Sequence, residues 1–138
     1  MKTYEVAAGI IIYQEEILCM QRNKAKYDYI SYKYEFPGGK IESGESPPVA
    51  LKRELQEEMD IDVEVEEKDF FMTIEHEYPD FRIKMHSYIC KVKSKKFELK
   101  EHIDFKWLKK YELKQLNWVE ADIPIVDKLI FRDSITDK

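Results

Sequence analysis

Glu54, Glu57 and Glu58 stand at i, i+3 and i+4 in the run Arg53-Glu54-Leu55-Gln56-Glu57-Glu58. On a helix of 3.6 residues per turn those positions share one face, within an arc of roughly 100°. Like charges at that spacing repel one another and weaken the helix. A divalent cation removes the conflict, and a donor set dominated by carboxylate oxygens suits Mg²⁺ or Mn²⁺ rather than zinc. Such an edge supports attack of water on a phosphate chain, because a metal ion neutralises phosphoryl charge and acidifies bound water. The bland alternative is a solvated helix face laced with Glu–Lys pairs.

The surrounding residues specify the elements that must hold this edge. Ser46 is a favourable N-cap, Pro47 suits the first helical position, and Pro48 falls in the first turn, where no intrahelical N–H is needed. Leu51, Leu55 and Met59 then make an apolar stripe at i, i+4 and i+8, beside the acidic edge, so packing anchors the helix while the carboxylates line a cleft. Tyr4–Tyr13 and Ile17–Arg22 read as strands joined by a turn at Gln14–Glu16. The segment 23–33, with Tyr27, Tyr29 and Tyr32, is a loop, either a solvated connection or a flap over substrate. In Glu35–Lys40, EFPGGK, proline fixes φ and the glycine pair permits unusual backbone angles. Phe70–Glu77 and Phe81–Val92 read as strands around a turn at Tyr78-Pro79-Asp80, and Phe105–Leu108 as a short strand. Tyr111–Leu116 and Ala121–Phe131 read as helices. Mixed strands with helices around them predict an α/β fold, an α+β sandwich with mixed pairing.

At 138 residues the chain is expected to form one domain, residues 1–138, able to bury a sizeable core. With 43% hydrophobic residues, disorder is not the default. A net charge of −5 argues against binding a nucleic-acid polymer through a basic patch, but not against a nucleotide, whose phosphates a metal screens. Cys19 and Cys90 sit in apolar runs and read as buried reduced thiols, with no paired-cysteine zinc spacing. The apolar run Val6–Tyr13 is short, follows only Lys2 and lacks a small-residue cleavage site, so it is no secretory signal. No segment approaches the roughly 20 apolar residues that span a bilayer. The expectation is a cytoplasmic protein without a membrane partner, a monomer or weak homodimer.

The stretch from Gly39 to Ile61 resembles the Nudix box, the motif of the Nudix hydrolases. Gly39, Glu45, Arg53, Glu54, Leu55, Glu57, Glu58 and Ile61 match the pattern at its fixed spacing. Asp60 departs from it, standing where the family usually has glycine. That residue follows the helix, where a left-handed conformation is common and Asp is better tolerated than most residues. The resemblance implies a mixed sheet between helices, with the box as loop–helix–loop. It also implies a metal set of Glu54, Glu57, Glu58 and the Gly39 carbonyl. An Arg53–Glu45 ion pair would support the site by holding the loop against the helix, with bidentate control that lysine lacks. Glu101, ahead of Phe105-Lys106-Trp107, is the candidate for a further carboxylate that binds a second metal or accepts the water's proton. The base stays open among Glu54, Glu57 and Glu101, with His102 an adjacent competitor. His76 and His86 read as ordinary strand residues.

Beyond the box the chain resembles the MutT and CTP pyrophosphohydrolase group, through Val6-Ala7-Ala8-Gly9-Ile10, EFPGGK, Glu77-Tyr78-Pro79-Asp80 and Ala121-Asp122-Ile123-Pro124. By that resemblance Arg22 approaches the substrate phosphates, with Lys40 a second phosphate candidate, and Tyr78 and Phe36 form apolar walls beside the base. Asp122 falls where members specific for 8-oxoguanine carry a base-reading asparagine. A carboxylate only accepts hydrogen bonds, so an ionised Asp122 would read an exocyclic amine, and a protonated one would read differently. Its other reading is an N-cap for the helix from Ile123. The implied reaction is hydrolysis of a nucleoside triphosphate to monophosphate and pyrophosphate, acting on oxidised guanine or cytosine nucleotides. ADP-ribose, dinucleoside polyphosphates and dinucleotide cofactors form a second substrate class, disfavoured because no proline lies between Pro48 and Pro79. A non-catalytic nucleotide-sensing module is a third reading, and it conflicts with the complete set of box carboxylates.

Overall fold

The computed structural model describes residues 1–132. The last six positions of the expected 1–138 domain lie outside the described residues. Strands β1 (Thr3–Tyr13), β2 (Glu16–Gln21), β3 (Tyr34–Glu35) and β4 (Gly38–Lys40) precede helix α1 (Pro47–Met59). Strands β5 (Phe70–Glu77), β6 (Arg82–Lys91) and β7 (Asp104–Leu108) follow, and α2 (Ile123–Phe131) comes last. The seven strands make one mixed sheet, β3-β2-β1-β6-β5, with β4 also on β1 and β7 also on β2. Only β1 and β6 run parallel, in register from Thr3–Arg82 to Ile12–Lys91.

Period-two alternation along β1 explains the two-sided core. Ala7 and Ile11 face Leu51, Leu55 and Met59 of α1, while Ala8, Ile10 and Ile12 face Ile125, Val126 and Leu129 of α2. Because helices cover both faces, Ala7–Ile12 are buried without interruption. This is the expected mixed sheet between helices. Burying each large aliphatic side chain contributes about 1.5–3 kcal/mol, so α1 is held mainly by its apolar stripe. Ser46 caps it as expected, its Oγ accepting from Val49 N, with both prolines in the first turn. Asp60 ends it in the left-handed region at φ 54°, and its N–H donates to Gln56 O.

The splaying of β1 from β2 opens the site. The two pair only at Ile12–Ile17 and Tyr13–Glu16, and farther along β4 occupies the same edge of β1 at Val6, Ala7 and Ala8. Gly9 N bridges the gap by donating to Pro37 O at 2.7 Å. The glycine pair serves this junction differently from the expectation: neither Gly38 nor Gly39 has positive φ. Gly38 is needed because a β-carbon there would lie 1.9 Å from Ala7 O.

Other expectations change in detail. The segment expected as a helix at Tyr111–Leu116 is a 3-10 turn at Lys110–Gln115, in which only Lys110 and Leu113 are buried, too little apolar face to sustain an α-helix. The expected helix at Ala121–Phe131 begins as a 3-10 turn, Glu120–Asp122, before α2. Phe81 lies in the turn, with β6 starting at Arg82. Among the described residues no helix is long and apolar enough to cross a membrane. Cys19 and Cys90 are buried free thiols, each pushed up to about 12 by burial.

Candidate active site

The acidic edge of α1 faces a cavity of about 480 Å³ lined by Glu54, Glu58, Gly39, Lys40, Glu101 and Arg22. Leu55 and Met59 also border it, so the apolar stripe and the carboxylates are adjacent, as the helical spacing requires. Glu57 does not line this cavity; its side chain is 58% exposed and lies 3.2 Å from Arg53 Nη1. The same Arg53 nitrogen donates to Glu54 Oε1 at 3.0 Å. Among the described residues no three metal-ligating side chains converge as a preformed cluster.

Glu45 and Arg53 are brought together as expected. Arg53 Nε donates to Glu45 Oε2 at 2.7 Å and Nη2 to Glu45 Oε1 at 2.9 Å, a bidentate pair. Nη2 also reaches Lys40 O at 3.1 Å, tying the helix to the end of β4. The guanidinium, together with the Glu42 backbone N–H, lowers the Glu45 carboxyl to about 2.

The residues fit a hard divalent cation. Glu54 lies so near Gly39 that a β-carbon at that position would be 2.3 Å from its carboxylate carbon and 2.4 Å from Oε2. Burial raises the pKa of Glu54, and the Glu58 and Glu57 charges push the same way against the hydrogen bond from Arg53. An oxygen-only donor set carrying strain between like charges is the arrangement a cation of this class relieves. Glu54, Glu58, Glu101 and the Gly39 backbone border the cavity directly, while Glu57 needs a change of rotamer away from Arg53 to join them.

A second cavity, also about 480 Å³, is more apolar and shares Arg22, Glu35, Gly38, Gly39 and Lys40 with the first. Phe36 and Tyr78 both line it. Phe36 stacks on Trp118 with ring centroids 4.7 Å apart, and Tyr78 Oη accepts from Ala121 N at 2.9 Å. Burial moves the Tyr78 hydroxyl up to about 12. Arg22 and Lys40 both stand at the junction, with the Lys40 ammonium 4.6 Å from the Tyr4 ring centroid.

Asp122 lines the apolar chamber and is 3% exposed. It does not cap α2 through its side chain. Its Oδ2 instead accepts from Phe36 N at 2.8 Å, across the chamber wall. The helix-cap reading is therefore replaced by a tertiary contact, made possible because Pro124 in the first turn of α2 needs no capping acceptor. Burial drives the Asp122 carboxyl well above its ordinary range, the Glu35 charge adds to the rise, and the Phe36 N–H and Arg22 oppose it.

Glu35 and His102 also belong to this site, and Trp118 backs Phe36 from the core; no local sequence pattern marks them as binding residues. Glu35 Oε1 accepts from Arg22 Nη1 at 2.9 Å, and His102 Nε2 is 2.8 Å from Glu35 Oε2. His102, a competitor for the base role on sequence grounds, is thus engaged by a carboxylate. Burial would raise the Glu35 pKa, but His102 and Arg22 outweigh it and hold the carboxyl below its ordinary range. The tyrosine loop is ordered against the chamber: Tyr27 stacks on Tyr29 at 5.3 Å, Tyr29 on Tyr78 at 5.4 Å, and Tyr29 Oη donates to Asp80 at 2.8 Å.

Residues 3–129 match the family model described as the NUDIX domain. The chain is 32% identical over 129 residues to the 8-oxo-dGTP diphosphatase of Escherichia coli K12, covering 94% of this chain and 98% of the relative. It is 34% identical over 127 residues to the CTP pyrophosphohydrolase of the same organism, covering 92% and 91%. The solution structure of the E. coli ORF135 protein superimposes with a TM-score of 0.77 at 33% identity, covering 92% of this chain and 88% of that one. The MutT structure from methicillin-resistant Staphylococcus aureus 252 gives 0.72 at 38% identity, covering 94% and 98%. Nudix hydrolases generally use divalent metal ions. By its box, its sheet and its relatives, the chain belongs to the Nudix hydrolase family.

Proposed function

We propose that this protein is a MutT-type nucleoside triphosphate pyrophosphohydrolase that releases a nucleoside monophosphate and pyrophosphate, cleansing a cytoplasmic nucleotide pool of oxidised guanine or cytosine nucleotides. The observation that carries this reading is the shared junction at Arg22 and Lys40. An apolar chamber walled by aromatic rings opens there onto an acidic cavity, so a base and its phosphate chain can occupy the two together. The relatives named as acting on 8-oxo-dGTP and CTP support the substrate class.

Glu54, Glu57, Glu58, Glu101 and the Gly39 carbonyl hold the cation, Mg²⁺ or Mn²⁺, which when bound supplies charge neutralisation and a more acidic water. Glu54 accepts the proton of the attacking water, its basicity raised by burial. Arg53 and Glu45 keep that edge in register with β4. Arg22 and Lys40 draw the phosphates toward the junction. Phe36 and Tyr78 exclude water from the base. Asp122, with one oxygen engaged by Phe36 N–H, offers the other to the base edge. In its protonated form it presents a donor as well as acceptors, much as an amide does. The unit that does this is one domain, working as a monomer or weak homodimer.

A substrate panel of 8-oxo-dGTP, dCTP, 5-methyl-dCTP, CTP and ADP-ribose, scored by kcat/KM with Mg²⁺, tests the reading. The expected result is preference for a nucleoside triphosphate, lost in Glu57→Gln. Preference for ADP-ribose, or no triphosphate turnover by protein that binds the metal, contradicts it.

A further inference from the structure

His102 precedes β7, Glu35 lies in β3 and Arg22 follows β2. Strand pairing brings these three positions together, because Gln21 is opposite both Asp104 and Tyr34. Ile103 N donates to Gln21 O at 3.0 Å and Arg22 N to Lys33 O at 2.9 Å, so the backbone on both sides is anchored. The ionised Glu35 carboxylate only accepts, so Nε2 of His102 carries the hydrogen in the 2.8 Å contact. Each Glu35 oxygen then has one partner, His102 on Oε2 and Arg22 Nη1 on Oε1.

The consequence falls on Arg22. A carboxylate beside a guanidinium favours the two-pronged contact when both oxygens face it. Here His102 anchors Oε2, only Oε1 meets the guanidinium, and Arg22 is held through a single nitrogen. Its Nε is buried with no hydrogen-bond partner, on a side chain that borders both cavities. An unsatisfied buried donor is costly, and it persists where surrounding contacts enforce it and a ligand can satisfy it.

We propose that His102 is a positioning residue: by anchoring Oε2 it fixes the orientation of the Glu35 carboxylate, disfavours a bidentate Glu35–Arg22 pair and keeps the remaining Arg22 donors available to the nucleotide. This rests on the reading of Arg22 as a substrate contact. His102 and its neighbour Glu101 both line the carboxylate cavity, and His102 is the one engaged by Glu35.

The test compares His102→Ala with His102→Gln, whose amide keeps an N–H donor, at matched Tm. In His102→Ala, KM for the preferred triphosphate rises about tenfold, the scale of one hydrogen bond to a charged group, while kcat changes much less. His102→Gln restores most of the affinity. Equal KM in His102→Ala and wild type overturns the proposal, and so does His102→Gln as impaired as His102→Ala. An independent readout needs no substrate: the ¹⁵N NMR resonance of Arg22 Nε–H, in nucleotide-free protein, shifts in His102→Ala and returns in His102→Gln. An unmoved resonance overturns the proposal even if a triphosphate is turned over. Absence of triphosphate turnover in wild type would instead strike the substrate reading, leaving the NMR comparison to decide the role of His102.

Discussion

The carboxylate of Glu54 rests against the α-carbon of Gly39, leaving no room for a side chain: a β-carbon at 39 would lie within 2.3–2.7 Å of three Glu54 atoms. The first and the central residues of the box are thus in direct contact. Gly39→Ala must displace the Glu54 carboxylate or the β4 backbone. We predict a loss of activity of at least about a hundredfold, as expected when a catalytic group is misplaced by about an ångström. The fold should survive, because β4 contributes no large core side chain. Steady-state kinetics with circular dichroism as the fold control checks this.

The Glu45–Arg53 pair predicts a pH limb of stability. The folded carboxyl titrates near 2, below its ordinary 4.5, so its contribution is fully present above about 4.5 and is lost as pH falls toward 2. Glu45→Gln removes that limb. Urea denaturation at several pH values should show the variant less stable than wild type at pH 7, with the gap closing as the solution is acidified.

Asp122 predicts the opposite sign. Its folded pKa is raised, so the favourable contribution is complete below 3.8 and is lost as pH rises through the folded value. Asp122→Asn keeps an acceptor for Phe36 N–H and does not titrate. Relative to wild type, the variant should gain stability with rising pH, and its preference among base-modified triphosphates should shift. Paired denaturation curves and the substrate panel measure both effects.

Asp60 marks where the box departs from its usual residue. Its φ of 54° is a conformation glycine adopts without penalty, although Gln56 Nε2 donates to Asp60 Oδ1 at 2.9 Å and recovers part of the cost. Asp60→Gly should stabilise the protein by about 0.5–1 kcal/mol, read as a Tm increase of a few degrees. Leu55→Ala, in the stripe of the same helix, should cost about 2–5 kcal/mol.

Helix α1 could be read from sequence because its determinants are local: a capping serine, two prolines in the first turn and an apolar stripe at helical spacing. The bidentate Glu45–Arg53 contact is also short-range, at a separation of eight residues. Strands β3 and β4 were hidden because Pro37 and two glycines break any alternation, and their pairing partners lie in β1 and β2. The Asp122–Phe36 and His102–Glu35 contacts span 86 and 67 residues, so no local pattern announces them. Asp122 resembled a helix cap by position, and only the closure of the chamber wall redirected it to Phe36. The 3-10 turn at Lys110–Gln115 differs from the expected helix for a related reason: too few of its side chains reach the core to favour a full α-helix.

The central claim is that Glu54 and its neighbours direct water onto the triphosphate so that pyrophosphate leaves as a unit. ³¹P NMR of the products formed from the preferred nucleoside triphosphate with Mg²⁺ tests it most directly. Equal amounts of nucleoside monophosphate and pyrophosphate, nearly abolished in Glu54→Gln, are predicted; nucleoside diphosphate with inorganic phosphate, or products unchanged by that substitution, would contradict it.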